Sequence, residues 1–317
     1  MNNQQYLIDS HHHLWQLDGH IRYPWLSDQV IDDFFLGDYV SIRQTFLPTH
    51  LQQLIPSGYR LLGSIHCEAE ADRQQSCDET AWIDAIQINN RLPCAHIGWA
   101  PFGKDHCANW LDRQMQSSLF RGVRVKPLTA KTAEEYDRVK GCTNTLQDPG
   151  WCSGLALLEE RDLSWDLRVP AWHLADAAKT LKKTPGLRVI LNHCGLPWER
   201  SQSGLANWRQ QMEILASNLN VCVKLSELGV PGTPWNTQQN FELLCQTISI
   251  FGTKRCLFAS NMPVSGLQVS YADWLALVEQ AIRAVDPTAR DDILWRNALH
   301  WYRLDTSLTD TSLFKAN

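Results

Sequence analysis

The sequence predicts an α/β protein, a (β/α)₈ TIM barrel, on three observations. About eight short apolar segments alternate with stretches of helical pattern, as parallel βαβ units do. The length of 317 residues suits one such barrel. The alternative, an open doubly wound sheet, normally has a Gly-x-Gly-x-x-Gly turn after a strand, and the sequence contains none.

The predicted strands are short apolar runs that each end in polar residues. In chain order they are Tyr6–Asp9, Tyr59–Glu68, Cys94–Ala100, Phe120–Val125, Leu163–Val169, Arg188–Asn192, Val221–Leu225 and Arg255–Ala259. The helices between them are predicted from an apolar stripe, or from a proline near the start, as at Pro48. They are Pro48–Leu54, Asp78–Asn90, Asn109–Ser118, Ala175–Lys183, Leu205–Ser217, Gln239–Ile250 and Tyr271–Val285.

Two connections are longer than usual for this fold. Residues 16–40 are rich in aromatic residues and aspartate, which predicts a lid over the site. Residues 128–160 carry turn signals at Gly141 and at Asp148-Pro149-Gly150. Neither resembles a linker, so residues 1–317 are expected to form a single domain with a C-terminal tail at 305–317.

The composition excludes several classes of protein. A hydrophobic content of 44%, a mean hydropathy of -0.30 and a net charge of -5 describe a globular protein with material for a core rather than a nucleic-acid or membrane protein. The N-terminus has no basic and apolar leader, which favours the cytoplasm. The ten cysteines form no C-x-x-C pair and are expected to be reduced. The fourteen tryptophans are compatible with a homodimer but do not require one. Trp15, Trp25 and Trp99 lie near predicted strand ends, where they could wall a pocket, although any single one is expected in the core. Trp15 is the candidate for substrate binding.

The most informative motif is the histidine pair at the end of the first strand. Residues i and i+2 of a strand point to the same side, so His11 and His13 face one site and His12 points away. Two imidazoles there can bind a metal ion or transfer protons. The apolar sequence around them argues against a purification tag.

Other polar residues end the later strands, and barrel enzymes place their reacting groups there. The set comprises His66, Glu68, Arg124, Lys126, Asp166, Arg168, His173, His193, Lys224, Ser226 and Asn261. Imidazoles, cations and a few carboxylates fit hydrolysis of a carbonyl compound. His66 and His173 equally fit the core. Glu68 is a carboxylate at the end of an apolar strand, so it is expected to have a partner or a function. Arg124 suits a substrate carboxylate, which it can bind through two hydrogen bonds. Asp166 and Arg168 could pair with each other.

Several motifs resemble the amidohydrolase-related family, most closely its lactonase branch of fuconolactonase-like and pyrone-dicarboxylate lactonase-like enzymes. They are Ile-Asp-Ser-His-His-His-Leu-Trp at 8–15, Tyr-Pro-Trp-Leu at 23–26, Phe-Leu-Pro at 46–48, Phe-Arg-Gly-Val-Arg at 120–124, Leu-Asn-His-Cys-Gly-Leu-Pro at 191–197, Cys-Leu-Phe-Ala-Ser-Asn-Met-Pro-Val at 256–264 and Asn-Ala-Leu-His-Trp-Tyr at 297–302. The resemblance runs from residue 6 to about residue 304 and depends on the combination.

The resemblance implies an amidohydrolase-type barrel in which His11, His13 and His193 are catalytic. They would bind one divalent ion, zinc or manganese, or would polarise an ester carbonyl with no metal required. It places Arg124 where lactonases hold an anionic group, with Glu68, His66 and Trp15 as further substrate-binding candidates. In metal-free lactonases of this branch, an aspartate of strand eight activates the water.

This chain departs from that pattern at strand eight, where Asn261 takes the place of the aspartate. A carboxamide cannot accept a proton at physiological pH, and it is a weaker metal ligand. One hypothesis is a hydrolase of a lactone or related cyclic ester of a sugar acid or carboxylated small molecule, with His193 or Glu68 as the base. The alternatives are an isomerase or lyase on the same barrel, and a non-catalytic barrel that binds a small molecule.

Overall fold

The computed structural model describes residues 4–32, 34–230, 232–305 and 307. Eight parallel strands form one sheet in the order in which they occur in the chain. They are β1 (Gln5–His12), β2 (Tyr59–Cys67), β3 (Ala95–Gly98), β4 (Phe120–Val123), β5 (Ser164–Leu167), β6 (Val189–Leu191), β7 (Val221–Leu225) and β8 (Cys256–Phe258). A parallel bridge from His12 to Met262 brings the two edges together, so the sheet is a nearly closed barrel. The predicted fold class is confirmed, and each predicted strand overlaps an observed one.

Helices follow the strands and pack against the outside of the barrel. They are α1 (Pro24–Ser27), α2 (Pro48–Gln53), α3 (Ser76–Asn90), α4 (Cys107–Gln114), α5 (Tyr136–Val139), α6 (Pro149–Glu160), α7 (Leu174–Leu181), α8 (Gln202–Ala216), α9 (Thr237–Phe251), α10 (Tyr271–Val285) and α11 (Asn297–Trp301). In the described part of the chain, none has the length and apolar character to cross a membrane.

Helix α6 lies in the connection where the sequence predicted only turns. The Asp148 side chain accepts a hydrogen bond from the Gly150 amide at 2.9 Å, and Pro149 occupies the first helical position. Asp-Pro-Gly therefore starts a helix here, because an aspartate cap followed by proline satisfies the first turn. The predicted tail at 305–317 lies almost entirely outside the described residues.

The hydrophobic core has two layers, which alternate along each strand. Outward-facing residues such as Val223 and Leu225 of β7 pack against the helices. Inward-facing residues such as Ile190, Cys222 and Leu257 fill the barrel and pack against α11 and Tyr302. The polar groups converge at the carboxyl ends of the strands, at one mouth of the barrel.

Candidate active site

The seam that closes the barrel also assembles the candidate site. The Asn261 amide donates to the His11 carbonyl at 2.7 Å, and the His13 amide donates to the Met262 carbonyl at 2.8 Å. The loop after β8 is therefore fixed against the end of β1, which brings Asn261 beside the histidine pair.

Backbone strain is concentrated at the same mouth. Glu70, His193, Glu227 and Asn261 follow four different strands, and all have positive φ angles between 41° and 57°. Residues other than glycine rarely adopt this backbone conformation, and strained residues of this kind cluster at functional sites.

The histidine pair belongs to a hydrogen-bonded chain whose direction is determined by its ends. The Lys224 ammonium can only donate, and its Nζ lies 3.0 Å from His11 Nδ1. The proton of neutral His11 is therefore on Nε2, which lies 3.3 Å from His13 Nε2. The Cys67 carbonyl can only accept, from His13 Nδ1 at 2.8 Å, so His13 Nε2 keeps its lone pair. His11 thus donates toward His13, and His13 accepts.

A fully buried ion pair continues this chain of hydrogen bonds beyond His11. Lys224 Nζ lies 2.5 Å from Asp166 Oδ2, and neither side chain is exposed to solvent. The Tyr302 hydroxyl donates to the same carboxylate, at 3.0 and 3.2 Å from its two oxygens. Burial raises the pKa of Asp166, and Lys224 opposes that rise. The predicted Asp166–Arg168 pair is wrong, because the Asp166 carboxylate bonds to Lys224 and Tyr302, and no ion pair with Arg168 occurs among the described residues.

His193 is the third imidazole of the site. Its ring centre lies 4.7 Å from that of His11, and its Nδ1 lies 2.9 Å from the Ser226 hydroxyl. Its Nε2 has no hydrogen-bond partner among the described residues, and the side chain lines the cavity. Burial lowers the pKa of His193 well below 6.5, and Arg168 and Arg124 lower it further. The ring is therefore neutral at neutral pH.

Asn261 is held in one orientation by a buried carboxylate. Glu227 Oε2 accepts from Asn261 Nδ2 at 2.8 Å and from the Ser265 hydroxyl at 2.6 Å. Glu227 Oε1 accepts from the Gly229 amide at 2.9 Å. Because a carboxylate accepts but does not donate, the amide nitrogen of Asn261 must face Glu227, and its oxygen is left for a ligand.

A cavity of about 320 Å³ opens onto these groups. Aromatic and apolar side chains form most of its wall, and polar groups converge on one side. The lining residues are His13, Trp25, Ile31, Phe34, Phe35, Ala69, Glu70, Arg124, Lys126, Arg168, His193, Trp198, Asn261 and Val264.

Segment 16–40, predicted as a lid, supplies four of these lining residues, including Trp25. The Trp25 indole donates to the Ala69 carbonyl at 2.8 Å and stacks on Phe34. The segment is thereby attached to the loop after β2 across the mouth of the barrel.

The cations of the cavity differ in how they are paired. Arg124 donates to the Glu68 side chain at 2.8 Å and to the Glu68 carbonyl at 2.7 Å. Burial opposes ionisation of Glu68, but Arg124 and Arg73 together lower its pKa. Lys126 forms an ion pair with Glu70. Arg168 forms no hydrogen bond or ion pair with the described residues and lies against aromatic rings.

Three of the predicted substrate-binding residues do not line the cavity. Trp15 is fully buried, with its indole bonded to the Gln44 carbonyl at 2.6 Å, and Trp25 of the lid segment lines the cavity in its place. Glu68 lies behind Arg124.

His66 also lies away from the cavity. The strand register pairs it with His12 and His96, so it faces outward, and its Nδ1 accepts from the Leu14 amide at 3.1 Å. His12, expected to point away from the site, does so and is buried.

One functional candidate was missed in the sequence. Glu227 directly follows Ser226 at the end of β7, so its position was a usable signal. Trp25 was one of three tryptophans considered for a pocket wall, and no periodicity distinguishes it from Trp15.

The donor set does not fit a divalent metal ion. Within the described residues, the one group of ligand atoms close enough together comprises His11, Cys67 and Asp166. The Lys224 ammonium bonds to both His11 and Asp166, so this space already contains a cation. Burial also raises the pKa of the Cys67 thiol to about 12, which keeps it protonated.

The three predicted histidines fit no better. His11 does not line the cavity, and its Nε2 is protonated as long as Lys224 donates to Nδ1, which leaves His13, His193 and the neutral Asn261 amide as ligands. Among the described residues no carboxylate completes this set, and Arg124 and Arg168 line the same cavity.

Comparison with known proteins identifies the family. The amidohydrolase family model matches residues 8–304. The uncharacterized protein y4mH of Sinorhizobium fredii is 31% identical over 302 residues, which cover 94% of this chain and 98% of that protein. An L-fucono-1,5-lactonase of Burkholderia ambifaria is 25% identical, with 94% and 96% of the two chains covered.

The fold has solved relatives. A Burkholderia multivorans amidohydrolase, solved with bound zinc, superposes with a TM-score of 0.76 at 23% identity and covers 95% of this chain and 100% of its own. At that identity the likeness concerns the fold. Taken with the site geometry and the match over nearly the whole barrel, these findings show that this chain belongs to the amidohydrolase family.

Proposed function

We propose that the protein hydrolyses a lactone or a related cyclic ester of a small sugar acid or carboxylated molecule. The observation that carries this proposal is the convergence of His13, His193 and Asn261 on one aromatic-walled cavity, with His193 Nε2 free to take a proton. The named lactonase relatives support the same type of reaction.

His193 is the general base in this proposal. We assign to it the tautomer that donates from Nδ1 to the Ser226 hydroxyl, which leaves the Nε2 lone pair available to the attacking water. Asn261 cannot remove the proton, but its oxygen can accept a hydrogen bond from the same water and so orient it. Glu68 is excluded as the base, because Arg124 and Arg73 hold it as an ion-paired carboxylate away from the cavity.

We assign the donor for the carbonyl oxygen to His11, which is fully buried and lies beneath the cavity lining, with its ring centre 4.7 Å from that of His193. Lys224 fixes the proton on His11 Nε2, and this proton must leave its 3.3 Å contact with His13 to reach a substrate oxygen. The positive charge of Lys224 directly behind the ring strengthens this donor as negative charge develops on the oxygen.

The reaction balances with these groups alone. The water oxygen bonds to the carbonyl carbon while His193 takes the proton. The ring carbon–oxygen bond then breaks, and the protonated His193 returns the proton to the leaving alkoxide. The product is a ring-opened hydroxy acid, and no oxidant or co-substrate is consumed.

The test is a panel of aldonic and aldaric acid lactones in a pH-indicator assay, with wild type and His193→Gln. We expect turnover of at least one lactone and a loss of about 100-fold or more in kcat for the variant. Arg209→Met, a change on the exposed face of α8, is the control and should have no effect. Binding of lactones without any turnover would instead favour the non-catalytic barrel, which Asn261 keeps open.

The ten cysteines are all unpaired, and five are fully buried. On this basis we also propose the reducing cytoplasm as the location.

A further inference from the structure

Among the described residues, Arg168 is the cavity-lining cation that forms no ion pair. Its guanidinium lies 5.3 Å from the ring centre of Phe35 and 5.7 Å from that of Trp198. Phe35 comes from the lid segment and Trp198 from the loop after β6, and the two ring centres are 6.4 Å apart. The guanidinium therefore contacts two neighbouring aromatic rings rather than a carboxylate.

The other two cations that line the cavity each pair with a carboxylate. Glu68 pairs with Arg124 and is shared with Arg73, and Glu70 pairs with Lys126. No carboxylate of the described residues lies within 4.0 Å of Arg168, although Glu70 and Glu227 act on it from farther away. Burial, and then the charge of Arg124, lower the pKa of Arg168 to about 10, so it remains charged at neutral pH.

Arg168 is partly exposed in the cavity wall and forms no ion pair with the described residues, so its guanidinium is available to an anionic ligand. We propose that Arg168 binds a single carboxylate on the substrate, so that this enzyme acts on lactones that carry an acid group rather than on neutral sugar lactones. This inference rests on the proposed lactone hydrolysis and assigns the anionic subsite to Arg168, not to the predicted Arg124.

The location of Arg168 also places that carboxylate relative to the reacting carbonyl. Arg168 and His193 both line the cavity, so a carboxylate on Arg168 lies in the same space as the water that His193 activates. The planar guanidinium of Arg168 suits one carboxylate. A cavity of about 320 Å³ accommodates a lactone of about six carbons with one such group.

The test uses two lactones of the same size. The γ-monolactone of a hexaric acid carries a terminal carboxylate where the γ-lactone of the matching hexonic acid carries a hydroxymethyl group. We expect wild type to have the higher kcat/KM with the hexaric lactone. Arg168→Met keeps apolar contact with both rings, and it should reduce that kcat/KM by about 10- to 100-fold while changing the hexonic value less than about twofold.

Two controls make the outcome specific. Arg168→Lys keeps the charge and should recover part of the loss, whereas Arg209→Met should change nothing. Thermal melting checks that each variant is folded. A preference of wild type for the hexonic lactone, or an equal loss on both lactones in Arg168→Met, would overturn the proposal.

A separate measurement distinguishes failure of the subsite from failure of the reaction. If neither lactone is hydrolysed, the proposed function is wrong, and calorimetry with the ring-opened hexarate decides the subsite. Hexarate binding to wild type that weakens about 10-fold or more in Arg168→Met supports the carboxylate site. No binding of hexarate to wild type refutes it.

Discussion

Replacement of Lys224 by Met should both destabilise the protein and slow it. Lys224 and Asp166 are fully buried and 2.5 Å apart. Removing one partner of such a pair leaves a buried charge, which costs about 3–5 kcal/mol of the free energy of unfolding. At about 2 °C per kcal/mol for a chain of this size, the melting temperature should fall by about 6–10 °C.

The loss of stability in Lys224→Met should be larger at high pH than at low pH. Burial already raises the pKa of Asp166, and Lys224 is the main group that opposes the rise. Without Lys224 the pKa of Asp166 rises further above its value in the unfolded chain. The folded variant then binds the extra proton as the pH falls, so the deficit should be larger at pH 8 than at pH 5.

Differential scanning calorimetry of three variants checks this reasoning. Lys224→Met and Asp166→Asn should each be destabilised, and the double variant should lose less than their combined loss, because neither charge remains. Lys254→Met is the matched control, since its ion pair with Asp292 lies at the surface and should contribute at most about 1 kcal/mol. Additive losses, or a Lys224→Met loss no larger than that of the control, would refute the buried network.

Three further predictions concern the same site. Asn261→Asp places a second carboxylate against Glu227, so the free energy of unfolding should fall by about 1–3 kcal/mol, and by more at pH 8 than at pH 5.5. Thermal melting measures this change, and an unchanged melting temperature would contradict the amide orientation. Trp25→Phe removes the donor to the Ala69 carbonyl, and KM should rise severalfold with a smaller change in kcat, as measured by initial rates. Dialysis against a chelator should leave kcat/KM within about twofold, and a loss that zinc restores would show that a metal ion takes part.

The strand pattern and the ends of the strands could be predicted from the sequence, because apolar runs and polar ends repeat along the chain. The sequence also indicated that His11, His13, His193 and Asn261 share one mouth of the barrel. Parallel strands bring their carboxyl ends together, so this inference needs no knowledge of individual contacts.

The partners of the charges could not be predicted in the same way. Arg124 and Arg168 both end strands, and the sequence favoured Arg124 for the substrate. Glu68 pairs with Arg124, which the sequence could not show, because the pairing depends on how side chains from neighbouring strands meet. Lys224 was recognised as a strand-end residue, but its bond to His11 joins groups 213 residues apart.

Tyr302 follows all eight strands and donates to Asp166, which precedes it by 136 residues. A nascent chain that has completed β8 still lacks this donor and the packing of α11 against the inward-facing strand residues. The buried Asp166 carboxylate therefore has its full set of hydrogen bonds only after residue 302 has left the ribosome and docked.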